Sequence, residues 1–392
     1  MTQFSLRVLL LLSLGHCITD IYQGGLPALL PFLKEKLALS YTMTGVIMIL
    51  ANTSGSVLQP LFGYLSDKKE KAFLLPLGVL ASGAGFAALS IPSSYLLLLL
   101  FVTVSGLVTA GYHPEGYKTA HFFTGKRAVT GMAIFSVGGN FGFALGPLLT
   151  VYLVKYMGLD SLPVIVIPAL AFAATLVYLR KTLAIPRTGE RLKQKESAAP
   201  VKGAYLSVLL LVCVVIMRSW TQMGLMSYIP FYYINFLRGD PLYAGKLVSI
   251  FLLGGVVGTL GGAPLADRWG HRRFIRTSMF LTSLILPFVL YCLQGGASTI
   301  TLSVMLFVLG VTLVSTFSVT VVMAQWVLPK NLGIASGLMV GFAIGAGGIG
   351  VTLLGVVADH FGVVRALQSI AVLPVAAFIF SMILRYPAQR MI

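Results

Sequence analysis

The chain has 392 residues, of which 57% are hydrophobic and only 10% are charged, and its mean hydropathy is +0.92. Soluble domains carry about 25% charged residues, so this composition argues against a soluble enzyme and indicates a membrane protein. The formal net charge of +17 does not indicate nucleic-acid binding, because the basic residues are spread over short loops between apolar runs.

Apolar runs recur along the whole chain and reach the length of about 20 residues that a helix needs to cross a bilayer. They are continuous rather than alternating, which favours helices over a closed barrel. The first run follows Arg7 without a small-residue cleavage site, so we expect a retained first span rather than a removed signal peptide. The twelve predicted spans lie roughly at 6–31, 42–66, 72–91, 94–117, 128–154, 162–182, 204–234, 243–266, 274–293, 299–328, 332–358 and 363–386.

A long polar segment at 183–203, rich in Lys, Arg, Ser and Pro, has the composition of a mobile linker. It predicts an N-terminal six-helix bundle at 1–182 and a C-terminal six-helix bundle at 204–392. If the N-terminus is cytoplasmic, most Lys and Arg fall on the cytoplasmic side, as such loops favour, so both termini and the linker are expected there. The outer side then holds Lys34, Lys36, Lys155, Arg238, Lys246 and Arg365.

The two halves carry similar loops after their second spans. The first loop reads from Gly63 to Lys68 and the second from Ala263 to Arg273, so that Asp67 and Asp267 occupy matching places. This pattern resembles the loop signature of the major facilitator superfamily, although Ala263 replaces a usual Gly and the first copy is less complete. The resemblance implies an all-α membrane protein with the major facilitator fold, whose two bundles rock about a central site. The predicted gating residues are Asp67, Lys68, Asp267, Arg268 and Arg272; the alternative is that they only set topology.

A narrower resemblance lies in three segments, Gly15 to Gln23, His113 to Gly116, and Val137 to Asn140 with the later Gly146-Pro147. Together they resemble the fosmidomycin resistance protein family of drug exporters, and the likeness extends over the whole chain. It implies proton-driven efflux of small molecules. The partial Gly-Pro element is similar to one associated with antiporters in the superfamily. The cargo stays open, because relatives on one fold differ in substrate.

Two of the eleven acids, Asp20 and Glu115, lie within a span and away from a loop. A charge near the bilayer centre costs about 2.5–3.5 kcal/mol on insertion scales, so such acids are functional candidates. His16 shares a helix face with Asp20, and His113 is next to Pro114, which is expected to kink the fourth span. We predict that Asp20, Glu115, His16 and His113 couple transport to protons; the alternatives are structural hydrogen bonds and packed histidines. A metal site of these four residues is conceivable, but the usual ligand spacing is lacking, and no metal is predicted.

Several polar or aromatic side chains fall at plausible cavity positions. Arg218 is the sole cation deep in the second half, and with Lys118 it could attract an anionic cargo such as a phosphonate or carboxylate. The alternative for Arg218 is a partner for Glu115 or for a helix carbonyl, and the other polar residues could be interhelical hydrogen bonds. The predicted substrate residues are Tyr22, Gln23, Gln59, Lys118, Asn140, Arg218, Trp220, Gln222 and Gln325.

The sequence therefore predicts a proton-coupled secondary transporter that exports drugs or organic anions by alternating access. The alternative is a proton-coupled importer or symporter; less favoured are a membrane enzyme, since no catalytic constellation stands out, and a non-transporting sensor. We expect no cofactor, a monomer, and partners limited to substrate, protons and lipid, without nucleic acid. The expected location is the bacterial inner membrane. Cys17, Cys213 and Cys292 show no spacing pattern and are expected to be buried thiols.

Overall fold

The computed structural model describes residues 4–56, 59, 73–124, 128–183, 204–296, 298–327 and 338–384. Apart from short connections, these residues are helical and include no strand. Helices pair their own backbone groups, which is what hydrocarbon surroundings require. The predicted linker meets this range only at Leu183, so its remainder at 184–203 lies outside the described residues.

The first half is built from long helices joined by tight turns. Its described residues also include two 3₁₀ segments, Ala88–Ser90 and Leu159–Ile165. The α-helices are α1 (Leu6–Leu37), α2 (Tyr41–Ser56), α3 (Leu74–Ala87), α4 (Tyr95–Thr109), α5 (Tyr112–Phe122), α6 (Ala128–Met157), α7 (Val166–Tyr178) and α8 (Arg180–Leu183).

The second half repeats this plan and includes three π-helical segments, Phe231–Phe236, Cys292–Gly296 and Leu338–Phe342. Its α-helices are α9 (Ala204–Pro230), α10 (Pro241–Trp269), α11 (His271–Tyr291), α12 (Thr299–Val314), α13 (Thr316–Val327), α14 (Ala343–Phe361), α15 (Val363–Ser369) and α16 (Val372–Ile383).

Eight helical stretches among the described residues are long and apolar enough to cross a membrane, and two shorter apolar helices accompany them. They coincide with ten of the twelve predicted runs. The predicted kink in the fourth span is a break between Thr109 and Tyr112, with Pro114 in the first turn of α5. A proline is tolerated there because the first amide groups of a helix have no intrahelical acceptor.

Glycines bring α1 and α6 into backbone contact. A side chain at Gly138 would collide with the backbone of Ser13, and one at Gly142 would collide with Cys17. Gly146 repeats the contact one turn further on, against Ile21. Small residues at four-residue spacing are typical of closely packed membrane helices. The contact fixes how α1 and α6 are placed relative to each other, and both carry site residues.

The two halves meet along α2 and α14, and along α6 and α10. Gly45 of α2 lies against the backbone of Thr352, and Gly348 of α14 lies against Ile49, where a Cβ would be 2.7 Å from backbone atoms. Gly245 of α10 lies against α6 near Val151. The halves are therefore in close contact from the middle of these helices to one end of the molecule.

That end is the one where α1 turns into α2, and polar contacts join the halves there. Arg238 Nη1 donates to Glu35 Oε1 at 2.6 Å, and Asn235 donates to the same oxygen at 2.9 Å. Lys155 of α6 pairs with Asp240 at 2.6 Å, at the start of α10. We call these two ion pairs, together with the contacts of Asp359 with α2, the latch; it closes this end of the molecule.

Candidate functional site

The centre of the candidate site is a His–Asp pair on α1. His16 and Asp20 are one turn apart, and His16 Nε2 lies 3.3 Å from Asp20 Oδ2. The other ring nitrogen, Nδ1, lies 3.0 Å from the carbonyl oxygen of Phe135 on α6. A hydrogen bond to that carbonyl requires a proton on Nδ1, which leaves Nε2 of the neutral ring to face Asp20 as an acceptor. The pair therefore requires a further proton at Nε2 to become a hydrogen-bonded ion pair.

His113 brings a second imidazole to the same carboxylate. Its Nε2 lies 3.7 Å from Asp20 Oδ1, too far for a hydrogen bond, and 2.9 Å from Nε2 of Gln23. Asp20 Oδ1 is buried and has no hydrogen-bond partner among the described residues. A buried acceptor without a partner is costly, so this oxygen favours the approach of a hydrogen-bond donor.

Apolar and aromatic groups enclose these polar atoms. Phe135 stacks on the His16 ring with centroids 4.3 Å apart, and the ring of Tyr117 lies edge-on to His16 at 6.0 Å. Gly139 of α6 leaves the room: a Cβ there would be 2.5 Å from His16 Nε2 and 2.8 Å from Asp20 Oδ2. The sequence alone does not indicate that Gly139 makes room for these side chains, because this depends on which face of α6 meets α1.

Glu115 is placed differently from the other three predicted proton-coupling residues. It is 3% exposed, on the first turn of α5, and its carboxylate does not belong to the group formed by His16, Asp20 and His113. The structure thus brings together three of the four predicted residues. Whether Glu115 carries protons stays a prediction.

The ligand atoms of His16, Asp20 and His113 lie within 4.8 Å of one another, close enough to hold a metal ion. However, His16 Nδ1 is engaged by Phe135 and His113 Nε2 by Gln23. A metal would have to compete with the Gln23 contact for His113, so the group is better suited to exchanging protons. The absence of a metal from the function stays a prediction.

The predicted substrate residues fall into several settings. Gln23 joins the His–Asp group through His113, whereas Tyr22 is buried and donates to Ile165 O at 2.9 Å. Gln59 donates to Gly55 O at 2.8 Å, and Trp220 Nε1 donates to Ala346 O at 2.5 Å. These donors are therefore already engaged within the protein.

The remaining substrate candidates are Asn140 and Gln222, which are half-buried, and Arg218, which is almost fully buried on α9. Arg218 Nε and Nη1 have no hydrogen-bond partner among the described residues, so the predicted pairing of Arg218 with Glu115 is not seen. The side chains of Lys118 and Gln325 lie outside the described residues.

The predicted gating residues are described only in part. Asp67 and Lys68 lie outside the described residues, as does the side chain of Asp267. Arg268 is exposed in the last turn of α10, where the helix dipole stabilises a positive charge. Arg272 is half-buried on α11, and its buried Nε has no hydrogen-bond partner among the described residues. Their gating role stays a prediction.

Comparisons with known proteins agree with the helical fold described above. The model of the Major Facilitator Superfamily matches residues 12–317 and 235–390. The chain is 30% identical over 376 residues to the fosmidomycin resistance protein of Escherichia coli, covering 94% of this chain and 91% of that protein. It is 31% identical over 377 residues to the uncharacterized MFS-type transporter YfnC of Bacillus subtilis, covering 94% and 90%.

Solved structures with low sequence identity share the fold. A bacterial homologue of the human lysosomal transporter Spinster, in an inward-facing and occupied conformation, matches with a TM-score of 0.79 at 14% identity, covering 96% of each chain. The nucleoside transporter NupG matches with a TM-score of 0.72 at 16% identity, covering 97% of this chain and all of that one. The chain therefore belongs to the major facilitator superfamily.

Proposed function

We propose that this transporter exports small molecules from the bacterial cytoplasm in exchange for protons. The observation that carries the proposal is the placement of Asp20 between His16 and His113, with all three side chains largely shielded from solvent. Intramembrane ionisable residues that face one another are typical of proton relays. The similarity to the fosmidomycin resistance protein of Escherichia coli supports efflux and drug resistance as the biological role.

Protonation of His113 would change its hydrogen-bond partners. As placed, its Nε2 faces the amide nitrogen of Gln23, which requires Nε2 to act as an acceptor and the ring to be neutral. A proton on Nε2 would turn this atom into a donor. It could then donate to Asp20 Oδ1, now 3.7 Å away, or to the Gln23 amide oxygen if that amide turns around.

The latch fits the alternating-access half of the proposal. With both termini and the linker in the cytoplasm, the α1–α2 connection faces outward, and the latched state is the one closed to the outside. Substrate would enter from the cytoplasm in this state. Opening toward the outside would separate Glu35 from Arg238 and Lys155 from Asp240. External labelling in intact cells of a cysteine introduced at position 190 would contradict this topology.

Proteoliposomes can test the coupling. The purified protein is reconstituted, a pH gradient is imposed, and uptake of fosmidomycin and a panel of small organic anions and amphipathic compounds is followed. We expect Asp20→Asn and His113→Gln to abolish gradient-driven accumulation while exchange in the absence of a gradient persists, and Glu115→Gln is measured in parallel. Asp160→Asn is the matched control, because that side chain is 95% exposed and pairs only with Lys36 among the described residues. Wild-type accumulation by Asp20→Asn and His113→Gln would show that the coupling proposal is wrong.

The same vesicles separate export from import. An exchanger accumulates substrate when the lumen is acidic, whichever way the protein is inserted, whereas a symporter accumulates it when the outer medium is acidic. Accumulation only with an acidic exterior would favour the importer hypothesis.

A further inference from the structure

Arg218 is a buried cation to which the described residues offer no counter-ion. It lies in the middle of α9, is 2% exposed, and has two guanidinium nitrogens, Nε and Nη1, without hydrogen-bond partners among the described residues. An unpaired charge in low-dielectric surroundings costs several kcal/mol in order-of-magnitude terms, and natural structures normally compensate it. The position therefore needs a partner that the described residues do not supply.

The described acids are engaged elsewhere. Asp20 faces two histidines, Glu35 faces Arg238, Asp160 faces Lys36, and Asp240 faces Lys155. Asp359 accepts three hydrogen bonds from the start of α2. Glu115 has an interaction of its own, and no ion pair joins it to Arg218 among the described residues. No described carboxylate is therefore the partner of Arg218.

The contacts that Arg218 does make leave its N–H groups available. The ring of Phe317, on α13, lies 5.1 Å from the guanidinium carbon, in a cation–π contact. Such a contact takes up a face of the guanidinium plane, while its N–H donors point outward within the plane. Gln222 is one helical turn further along α9 on the same face and is half-buried, so it can add an amide donor beside the guanidinium.

We propose that Arg218 binds an oxyanion group, a carboxylate or phosphonate, on the transported molecule. This inference rests on the proposed transport function and specifies its substrate class. A guanidinium has two edges with parallel N–H donors, formed by Nη2 with either Nε or Nη1. Either edge matches the two oxygens of such a group, an arrangement that lysine cannot reproduce. Phe317 holds the guanidinium plane, and Gln222 offers a further hydrogen bond. The small exposure of Arg218 means that a bound anion would be enclosed by protein.

The test uses the purified full-length protein and pairs of probes that match in size. Benzoate is compared with benzamide, phenylphosphonate with the neutral benzenesulfonamide, and inorganic phosphate is measured alone. Binding is followed by thermal stabilisation and by titration calorimetry in wild type, Arg218→Met and Arg218→Lys. We expect the organic anions to bind the wild type at least about tenfold more tightly than their neutral counterparts. We expect Arg218→Met to lose that preference and Arg218→Lys to recover it only in part.

The ligand-free protein gives a second readout with a definite sign. Because Arg218→Met removes a buried charge for which no described residue is the counter-ion, and keeps an unbranched apolar chain, we expect it to melt at a higher temperature than wild type without ligand. A lower melting temperature together with unchanged anion binding would identify Arg218 as a structural residue and overturn the proposal. Equal binding of benzoate and benzamide, or a full effect from inorganic phosphate alone, would also overturn it. These binding measurements need no pH gradient, so they stay informative if proton coupling fails.

Discussion

Asp359, in the last turns of α14, accepts hydrogen bonds from the backbone amides of Tyr41 and Thr42 at 2.8 and 2.9 Å, and from the Thr42 hydroxyl at 2.5 Å. Tyr41 and Thr42 begin α2, whose first amides have no intrahelical acceptors. A carboxylate at this position accepts hydrogen bonds from these amides, and the positive end of the helix dipole stabilises its negative charge. The cap for a helix of the first half is thus supplied by the second half.

We expect Asp359→Asn to weaken closure at this end, because an amide has one acceptor oxygen and no charge. A cap is worth about 1 kcal/mol, which corresponds to roughly a fivefold shift in the ratio of closed to open molecules. Electron–electron distance measurements between spin labels at positions 93 and 360 should show a larger long-distance population. Ser298→Ala is the control, since Ser298 caps α12 within its own half. An equal shift in both variants would indicate general loosening rather than loss of the latch.

A charge swap tests the pair of Glu35 and Arg238. Glu35→Arg and Arg238→Glu each place like charges together, and each should raise the open population seen with the same labels. The double variant restores opposite charges and should return most molecules to the closed distance. The effect of each single variant should be modest, since exposed ion pairs contribute about 0–1 kcal/mol. A double variant that is more open than either single variant would contradict the role assigned to this pair.

The second latch pair should not respond to physiological pH. The hydrogen bond from Lys155 lowers the pKa of Asp240 from its ordinary value of about 4, aided by the amide of Leu242. A lowered pKa means that the contribution is present above the ordinary value and is lost as the pH falls through the lowered one. The difference in melting temperature between wild type and Lys155→Gln should therefore be constant from pH 5.5 to 8. A difference that shrinks within this window would show that another titrating group controls the pair.

Two adjacent glycines of α6 should respond differently to alanine. Gly138→Ala places a methyl group against the backbone of Ser13, which cannot yield without moving α1, so we expect a clear loss of thermal stability. Gly139→Ala instead meets the side chains of His16 and Asp20, which can turn away. It should fold with near wild-type stability but exchange protons poorly in proteoliposomes. Full coupling in Gly139→Ala would mean that the spacing of these two side chains is not important for transport.

Hydropathy alone was sufficient to predict most of the helices, because lipid permits few alternatives to them. The proximity of His16 and Asp20 also followed from local sequence, since a spacing of four residues is fixed by the helix. The position of His113 beside Asp20 depends on how α5 packs against α1. The sequence indicated this packing only through its resemblance to a transporter family. Glu115 follows His113 by two residues on α5. Because an α-helix has about 3.6 residues per turn, this spacing directs the Glu115 side chain away from the helix face that carries His113.

The latch could not be recognised from the sequence. Charged residues are common in loops and at helix ends, so nothing in the sequence distinguished Glu35, Arg238, Asp240 or Asp359 from other charges in such places. Their partners are distant in the chain: Asp359 is 318 residues from Tyr41. Such pairs are defined only when the two halves are docked, and hydropathy carries no information about docking.

The backbone contact between α1 and α6 has a practical consequence for altering specificity. Where glycines 138, 142 and 146 meet α1, the two backbones form the seam and leave no room for a side chain on α6. Mutagenesis libraries aimed at new cargoes should leave these positions fixed and vary the half-buried polar positions, such as Asn140 and Gln222. Variation at the seam would select for misfolding before it could select for substrate.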